Sequence, residues 1–186
     1  MTDRGVISVA RDRFRGAGSP VVSVLTPTTL SPQRSGFLLE LHDDLDGCHV
    51  DFEWIIAVDG AHRRQLPEPI ATDRRIRVLR TGRPVGAAAA RNLALGLACG
   101  EYVTSADDDD RLPPESLERR LWAVTRPGVG WAAGGLADLR DGVLIPGASQ
   151  VPAGYVAPGE VWRTWGCPCQ PFPLGPTTLL AQAALL

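Results

Sequence analysis

The chain has 186 residues, a size that suits one ordinary domain with a real core. Hydrophobic residues make up 44%, charged residues 22%, and the net charge is −2, which excludes a disordered chain and any general electrostatic case for nucleic acid or an anionic membrane. All 19 basic residues are Arg, so a lysine nucleophile, a Schiff-base lysine and a P-loop lysine are excluded as well.

Residues 1–19 are polar and Arg-rich and read as a flexible N-terminal extension, without the apolar segment a signal peptide needs. Val21-Val22-Ser23-Val24-Leu25 is a β-branched apolar run that predicts a buried strand, stopped by Thr26-Pro27-Thr28-Thr29. Ser31-Pro32 predicts a helix start, a hydroxyl cap followed by Pro at the first helical position. Phe37, Leu38, Leu41 and Leu45 then form one apolar stripe, and Gly47 is the predicted stop. Phe52–Val58 is the next strand, ended by Asp59-Gly60 and followed by a mobile Arg- and Pro-rich connection. Ile76–Leu79 predicts a short strand and Gly82–Gly86 a loop. Ala87–Ala98 predicts an Ala- and Leu-rich helix stopped by Gly100. Glu101–Ser105 is a strand that runs into Asp107-Asp108-Asp109-Asp110. Pro113-Pro114 opens a helix with Leu117, Leu121 and Val124 on one face. Leu136–Leu139 and Val143–Ile145 predict a hairpin around Asp141-Gly142.

This alternation is that of an α/β protein with a mostly parallel, Rossmann-like sheet and flanking helices. Ligands bind at the carboxyl ends of the strands in such sheets. Thr26-Pro27-Thr28, Asp59-Gly60 and the four-Asp run all fall at predicted strand ends. Four adjacent carboxylates repel one another unless a cation or hydrogen-bond donors offset the charge, and hard oxygen ligands suit Mg²⁺ or Mn²⁺. The same run also reads as a solvated acidic turn before a helix. Asp59 reads either as an acceptor for a ligand's N–H groups or as an ordinary turn residue. Arg83 and Arg91 flank a loop entering a helix N-terminus, where phosphate is favoured, and Arg91 reads equally as a structural ion-pair partner. Cys167-Pro168-Cys169 has no second Cys pair and no nearby His, so zinc is not expected. The four Cys are too scattered for a disulfide scaffold. His42, His49 and His62 share no motif. The five Trp residues read as packing residues, with Trp162 and Trp165 as weaker acceptor-site candidates.

In order and spacing, four segments over about residues 20–120 resemble the family 2 glycosyltransferases, which have the GT-A fold. Val21 to Thr28 resembles the family's first strand and Pro-Thr turn, and Phe52 to Gly60 the second strand with its nucleotide-binding Asp. Gly86-Ala87-Ala88-Ala89-Ala90-Arg91-Asn92 with Gly100 to Val103 resembles the Gly-x-x-x-x-Arg-Asn helix and the strand after it. Asp107 to Glu118 resembles the Asp-x-Asp-Asp metal motif. The resemblance implies that Thr28 lies beside the nucleotide and Asp59 accepts from its base. It implies that Asp107 and Asp108 lie near the ribose and that Asp109 holds Mn²⁺ or Mg²⁺ on the donor diphosphate. Arg83 is a looser candidate for the base or diphosphate. Thr29-Leu30 departs from the family's aromatic-Asn pair, and the four-Asp run leaves the metal ligand open by one position.

The implied organisation is a nucleotide-sugar-binding half over residues 20–125 and a partial acceptor-binding half over 126–186. The family's later acidic motif supplies the catalytic base. This chain has no acidic residue after Glu160, and Ala181–Leu186 starts an apolar helix without an end signal, so a chain interrupted before that motif is expected. The catalytic base is therefore unassigned, and Asp138 and Asp141, in the predicted hairpin, are not candidates. The expected activity is metal-dependent, inverting sugar transfer from a nucleotide-diphosphate sugar to a glycan, lipid or small-molecule acceptor. The alternatives are a non-catalytic remnant that binds nucleotide only and, third, a nucleotidyltransferase, which the absence of Lys disfavours. A cytoplasmic location with at most peripheral membrane contact is expected, since no apolar run approaches membrane-spanning length.

Overall fold

The computed structural model describes residues 20–61 and 64–126 in full, and beyond them the backbone of five short strands between 131 and 180. The expected N-terminal extension 1–19, His62, the Asp141-Gly142 turn, Trp162, Trp165, Cys167-Pro168-Cys169 and the expected last helix lie outside the described residues.

The first two apolar runs form β1 (Val22–Thr28) and β2 (Phe52–Val58), parallel neighbours buried along their whole length. β1 continues through the expected Thr-Pro-Thr stop. Pro27 is tolerated because it alternates with Leu25, whose carbonyl accepts from Ala106, while pairing with the next strand ends at Leu25↔Ser105. The missing N–H of Pro27 thus points beyond the last ladder bond on that side. Between the two strands runs α1 (Pro32–Asp46). The Ser31 hydroxyl accepts from the Arg34 amide at 3.2 Å, Pro32 opens the helix, and Gly47 caps it.

The connection after β2, for which the sequence predicts a mobile segment, contains a short helix, α2 (Glu68–Thr72). Its Ile70 is buried in the core, which supplies the stabilisation that five residues lack alone. β3 (Ile76–Arg80) follows, then α3 (Ala87–Leu95), β4 (Tyr102–Ser105) and α4 (Ser116–Val124). The strands after them are β5 (Trp131–Ala132), β6 (Ala137–Arg140), β7 (Val143–Pro146), β8 (Val156–Ala157) and β9 (Thr178–Leu180). The main sheet has the order β3-β2-β1-β4-β9-β5-β8 and is parallel except for the β5–β8 pair. β6 and β7 form the expected antiparallel hairpin, with Arg140 opposite Val143.

Alternation along the strands sorts the core into two layers. Val22, Val24, Trp54, Ile56 and Val58 meet Leu38, Leu41 and Leu45 of α1 and Leu117 and Val124 of α4. Leu25, Ile55, Ala57 and Val103 meet Ala90 and Ala94 of α3 on the other face. Trp54 is fully buried, and its indole N–H donates to Thr26 Oγ1 at 2.8 Å. Trp122 departs from its expected packing role. It is 64% exposed, with the Arg126 guanidinium over its ring.

Two helix ends differ from expectation for definable reasons. α3 stops at Gly96 rather than reaching Ala98. The last amides take carbonyls three residues back, Leu97 N–H to Ala94 at 2.9 Å and Ala98 N–H to Leu95 at 3.0 Å, while the Cys99 N–H donates to Glu53 Oε1 at 2.5 Å and the Leu97 carbonyl accepts from Arg77 Nη1 at 2.5 Å. α4 starts at Ser116, after a turn in which the Ser116 N–H donates to the Pro113 carbonyl. Arg120 takes a buried place beside Leu117, its guanidinium donating to Thr104 Oγ1 and to the Ser116 hydroxyl and carbonyl.

Gly100 is not a helix stop. It is a close-approach glycine, since a Cβ there would stand 2.6 Å from Ser23 N and 2.8 Å from the Val22 carbonyl carbon. Both atoms belong to β1 backbone, which cannot yield. Gly100→Ala is expected to cost about 1–3 kcal/mol. Urea unfolding should show a lower midpoint with an unchanged slope.

Candidate functional site

The carboxyl ends of β1, β2 and β4 meet at a cavity of about 320 Å³ lined by Pro27, Thr28, Thr29, Arg34, Asp59, Ala87, Arg91, Asp107, Asp108 and Asp109. Parallel pairing of the three strands brings their last residues to one edge, as the sheet order requires. Of the candidates read from sequence, Thr28, Asp59, Asp107, Asp108 and Asp109 all line this cavity. Arg83 does not. It is exposed in the loop before α3, where its carbonyl lies 2.6 Å from Thr81 Oγ1.

Thr28 ends β1 and is buried. Its Oγ1 accepts from the Leu30 amide at 3.0 Å, which holds Leu30 at a φ of 52°. That locked turn delivers the chain into α1. Asp59 stands one residue beyond β2. Its Oδ1 accepts from the Val85 amide at 2.8 Å and lies 3.0 Å from Thr81 Oγ1, while its Oδ2 accepts from the Gly86 amide at 2.8 Å. The carboxylate therefore shapes the loop entering α3, where Gly86 sits at a φ of 87°. Two carboxylate oxygens offer about four acceptor positions and the two amides fill two of them, which leaves room for a ligand donor.

The acidic run folds into a turn in which each Asp has its own environment. Asp107 pairs with Arg91 of α3, and its amide donates to Asp110 Oδ2 at 2.8 Å. The Arg91 Nε is buried without a partner among the described residues. Asp108 is 4% exposed, and burial pushes its carboxyl above the ordinary carboxylate range, against the pull of Thr28 and Arg34. Asp109 has a half-exposed carboxylate at the rim. Arg34 Nη1 lies 2.5 Å from Asp108 Oδ1 and 2.8 Å from Asp109 Oδ2. Burial works against the Arg34 charge, but the two carboxylates outweigh it and raise the guanidinium above its ordinary value.

Arg34 is the cavity residue that sequence reading missed. The signal was present: Ser31-Pro32 places residue 34 in the first turn of a helix that follows the carboxyl end of β1. Ala87, which opens α3 as the sequence predicts, also stands at the cavity wall.

Among the described residues no three His, Cys, Asp or Glu side chains converge to cage an ion. A lone rim carboxylate beside a cavity still fits a cation that keeps its waters and shares a substrate's phosphates, the usual state of Mg²⁺.

Residues 23–144 match the family described as Glycosyl transferase family 2. The chain is 38% identical over 106 residues to the protein named as teichuronic acid biosynthesis glycosyltransferase TuaG of Bacillus subtilis, covering 55% of this chain and 41% of TuaG. It resembles the structure of residues 1–349 of TarS from S. aureus in complex with UDP, with a TM-score of 0.56 and 22% identity over 68% of this chain and 38% of that one. It also resembles the mannosyltransferase PcManGT of Pyrobaculum calidifontis in complex with GDP-Man and Mn²⁺, with a TM-score of 0.52 and 23% identity over 74% of this chain and 41% of that one. The chain thus spans about two fifths of each of these proteins.

Proposed function

Because the chain belongs to glycosyl transferase family 2, we propose that residues 20–125 hold a nucleotide-diphosphate sugar for inverting, metal-dependent transfer to an acceptor hydroxyl. Residues 126–186 belong to the acceptor-binding half in this reading. One observation carries it: Thr28, Asp59 and Asp107 to Asp109, from three separate strand ends, line a single cavity. Supporting it, a similar fold holds UDP in TarS and GDP-Man with Mn²⁺ in PcManGT.

Asp59 keeps the loop before α3 in place and offers a remaining acceptor position to a base N–H. Asp107, held by Arg91, and Asp108, held by Thr28 and Arg34, face the ribose. Asp109 would hold Mn²⁺ or Mg²⁺, which as a Lewis acid offsets the charge developing on the leaving nucleoside diphosphate. In the transfer itself, the acceptor oxygen bonds to the anomeric carbon as the bond to the diphosphate oxygen breaks, and the acceptor proton passes to a base. The described residues supply the donor side of this chemistry. The acceptor is a glycan, lipid or small molecule. Among the described residues no helix is long and apolar enough to cross a membrane.

Thermal melts with UDP or GDP test the reading. Nucleotide at 100 times its Kd, with Mn²⁺, is expected to stabilise the fold by about 2.7 kcal/mol. Asp109→Ala is expected to remove the Mn²⁺-dependent part of that shift and leave the melting point of the ligand-free protein nearly unchanged, because the side chain is half exposed. A folded sample that shifts with no nucleoside diphosphate would sink the donor-site reading. Assays of UDP-GlcNAc and GDP-Man hydrolysis and transfer separate an enzyme from a chain that binds nucleotide only, which would show binding without turnover.

A further inference from the structure

The acidic turn carries its own counter-charge. One nitrogen of Arg34 spans two carboxylates, 2.5 Å from Asp108 and 2.8 Å from Asp109. The two carboxylates are not equivalent. Asp108 is buried and has Thr28 as a second donor, whereas Asp109 is half exposed and takes its ion pair from Arg34. Arg34 and Asp109 line both the site cavity and a second cavity of about 410 Å³, which lies between α1 and the acidic turn and is lined in part by Phe37, Glu40, Asp110 and Arg111. Glu40, paired there with Arg111, and Asp110, which accepts from the Asp107 amide, bring carboxylates to that second space.

We propose that Arg34 competes with a divalent cation for Asp109, holding the carboxylate until the metal arrives and then moving into the second cavity. The proposal rests on the reading of Asp109 as the metal ligand. A guanidinium keeps its charge at every working pH, so the competition is always present. Two cations cannot share one carboxylate edge at contact distance without strong repulsion. Arg34 would therefore weaken the binding of metal alone and make it depend on a nucleoside diphosphate, whose negative charge draws the metal in and offsets the loss of the Arg34 contact. Metal and nucleotide would then bind cooperatively, each strengthening the other by the same factor.

The test titrates Mn²⁺ alone into the full chain, with free Mn²⁺ read by electron paramagnetic resonance. Arg34→Ala is expected to bind Mn²⁺ about tenfold more tightly than the parent, a usual size for a coupling between sites. Arg34→Lys, which keeps a charge without the planar fork, should fall between the two. Adding Asp109→Ala to Arg34→Ala should abolish the gain. Melting curves report whether each variant folds, and Arg34→Gln serves if the Ala variant does not. Equal or weaker Mn²⁺ binding by a folded Arg34→Ala or Arg34→Gln chain overturns the proposal. A nucleotide-induced melting shift that depends on Asp59 reports separately on the donor-site reading. That shift can persist while the Arg34 effect is absent, and the Arg34 effect can appear where no nucleotide binds.

Discussion

Asp59→Ala is expected to lower UDP or GDP affinity by about 10- to 100-fold, the worth of losing hydrogen bonds to a charged acceptor. Two losses combine. The carboxylate no longer accepts from a ligand, and the Val85 and Gly86 amides lose the acceptor that shapes the cavity wall ahead of α3. These amides are only partly shielded, so water replaces part of the lost bonding, and stability should fall by about 1–2 kcal/mol. Asp59→Asn should be nearly as damaging to affinity, because one half of its amide would point N–H at N–H. Isothermal titration with UDP and GDP, together with melting curves, checks both effects. Unchanged affinity with a lowered melting point would leave Asp59 a loop anchor alone and remove it from the nucleotide site.

Glu53→Ala is expected to cost about 3–5 kcal/mol, the range for removing one partner of a buried ion pair. Glu53 is fully buried. It accepts from Ser23 Oγ at 2.7 Å, from the Cys99 amide at 2.5 Å and from Arg77 Nη1 at 2.9 Å. Its removal leaves the largely buried Arg77 charge, a hydroxyl and an amide without their acceptor. Glu53→Gln keeps the volume and part of the bonding and should cost less. Equilibrium urea unfolding gives both values, and a loss below about 1 kcal/mol for the Ala variant would show that water reaches the site.

Glu53 and Asp59 belong together physically. Residues 53, 55, 57 and 59 share the face of β2 that packs on α3, with Ile55 and Ala57 forming the apolar contact between the two carboxylates. Asp59 holds the loop that starts α3, and Glu53 with Arg77 holds the segment that ends it. The helix that presents Ala87 and Arg91 to the cavity is thus pinned at both ends from one strand.

Much of this was legible beforehand. Phe52–Val58 has the boundaries its apolar run predicts, and Ser31-Pro32 and Gly47 mark both ends of α1, because strand runs, caps and stops are local signals. The strand-end position of Asp59 and the four-Asp turn was legible for the same reason. α2 was not, because five residues with two weak helix formers hold their shape only through the burial of Ile70. The end of α3 was not, because Glu53 and Arg77, remote in the chain, compete for its last backbone groups.

By itself the sequence determined the strands and longer helices from β1 to α4, the faces they bury, and the placing of acidic residues at strand ends, since each of these follows from spacings of a few residues. Tertiary structure alone decided which charges meet. Arg34 and Asp108 are 74 positions apart, and Ser23 and Gly100 are 77. No periodicity encodes such pairs, because they exist only once β4 lies against β1 and carries the acidic turn to the first turn of α1.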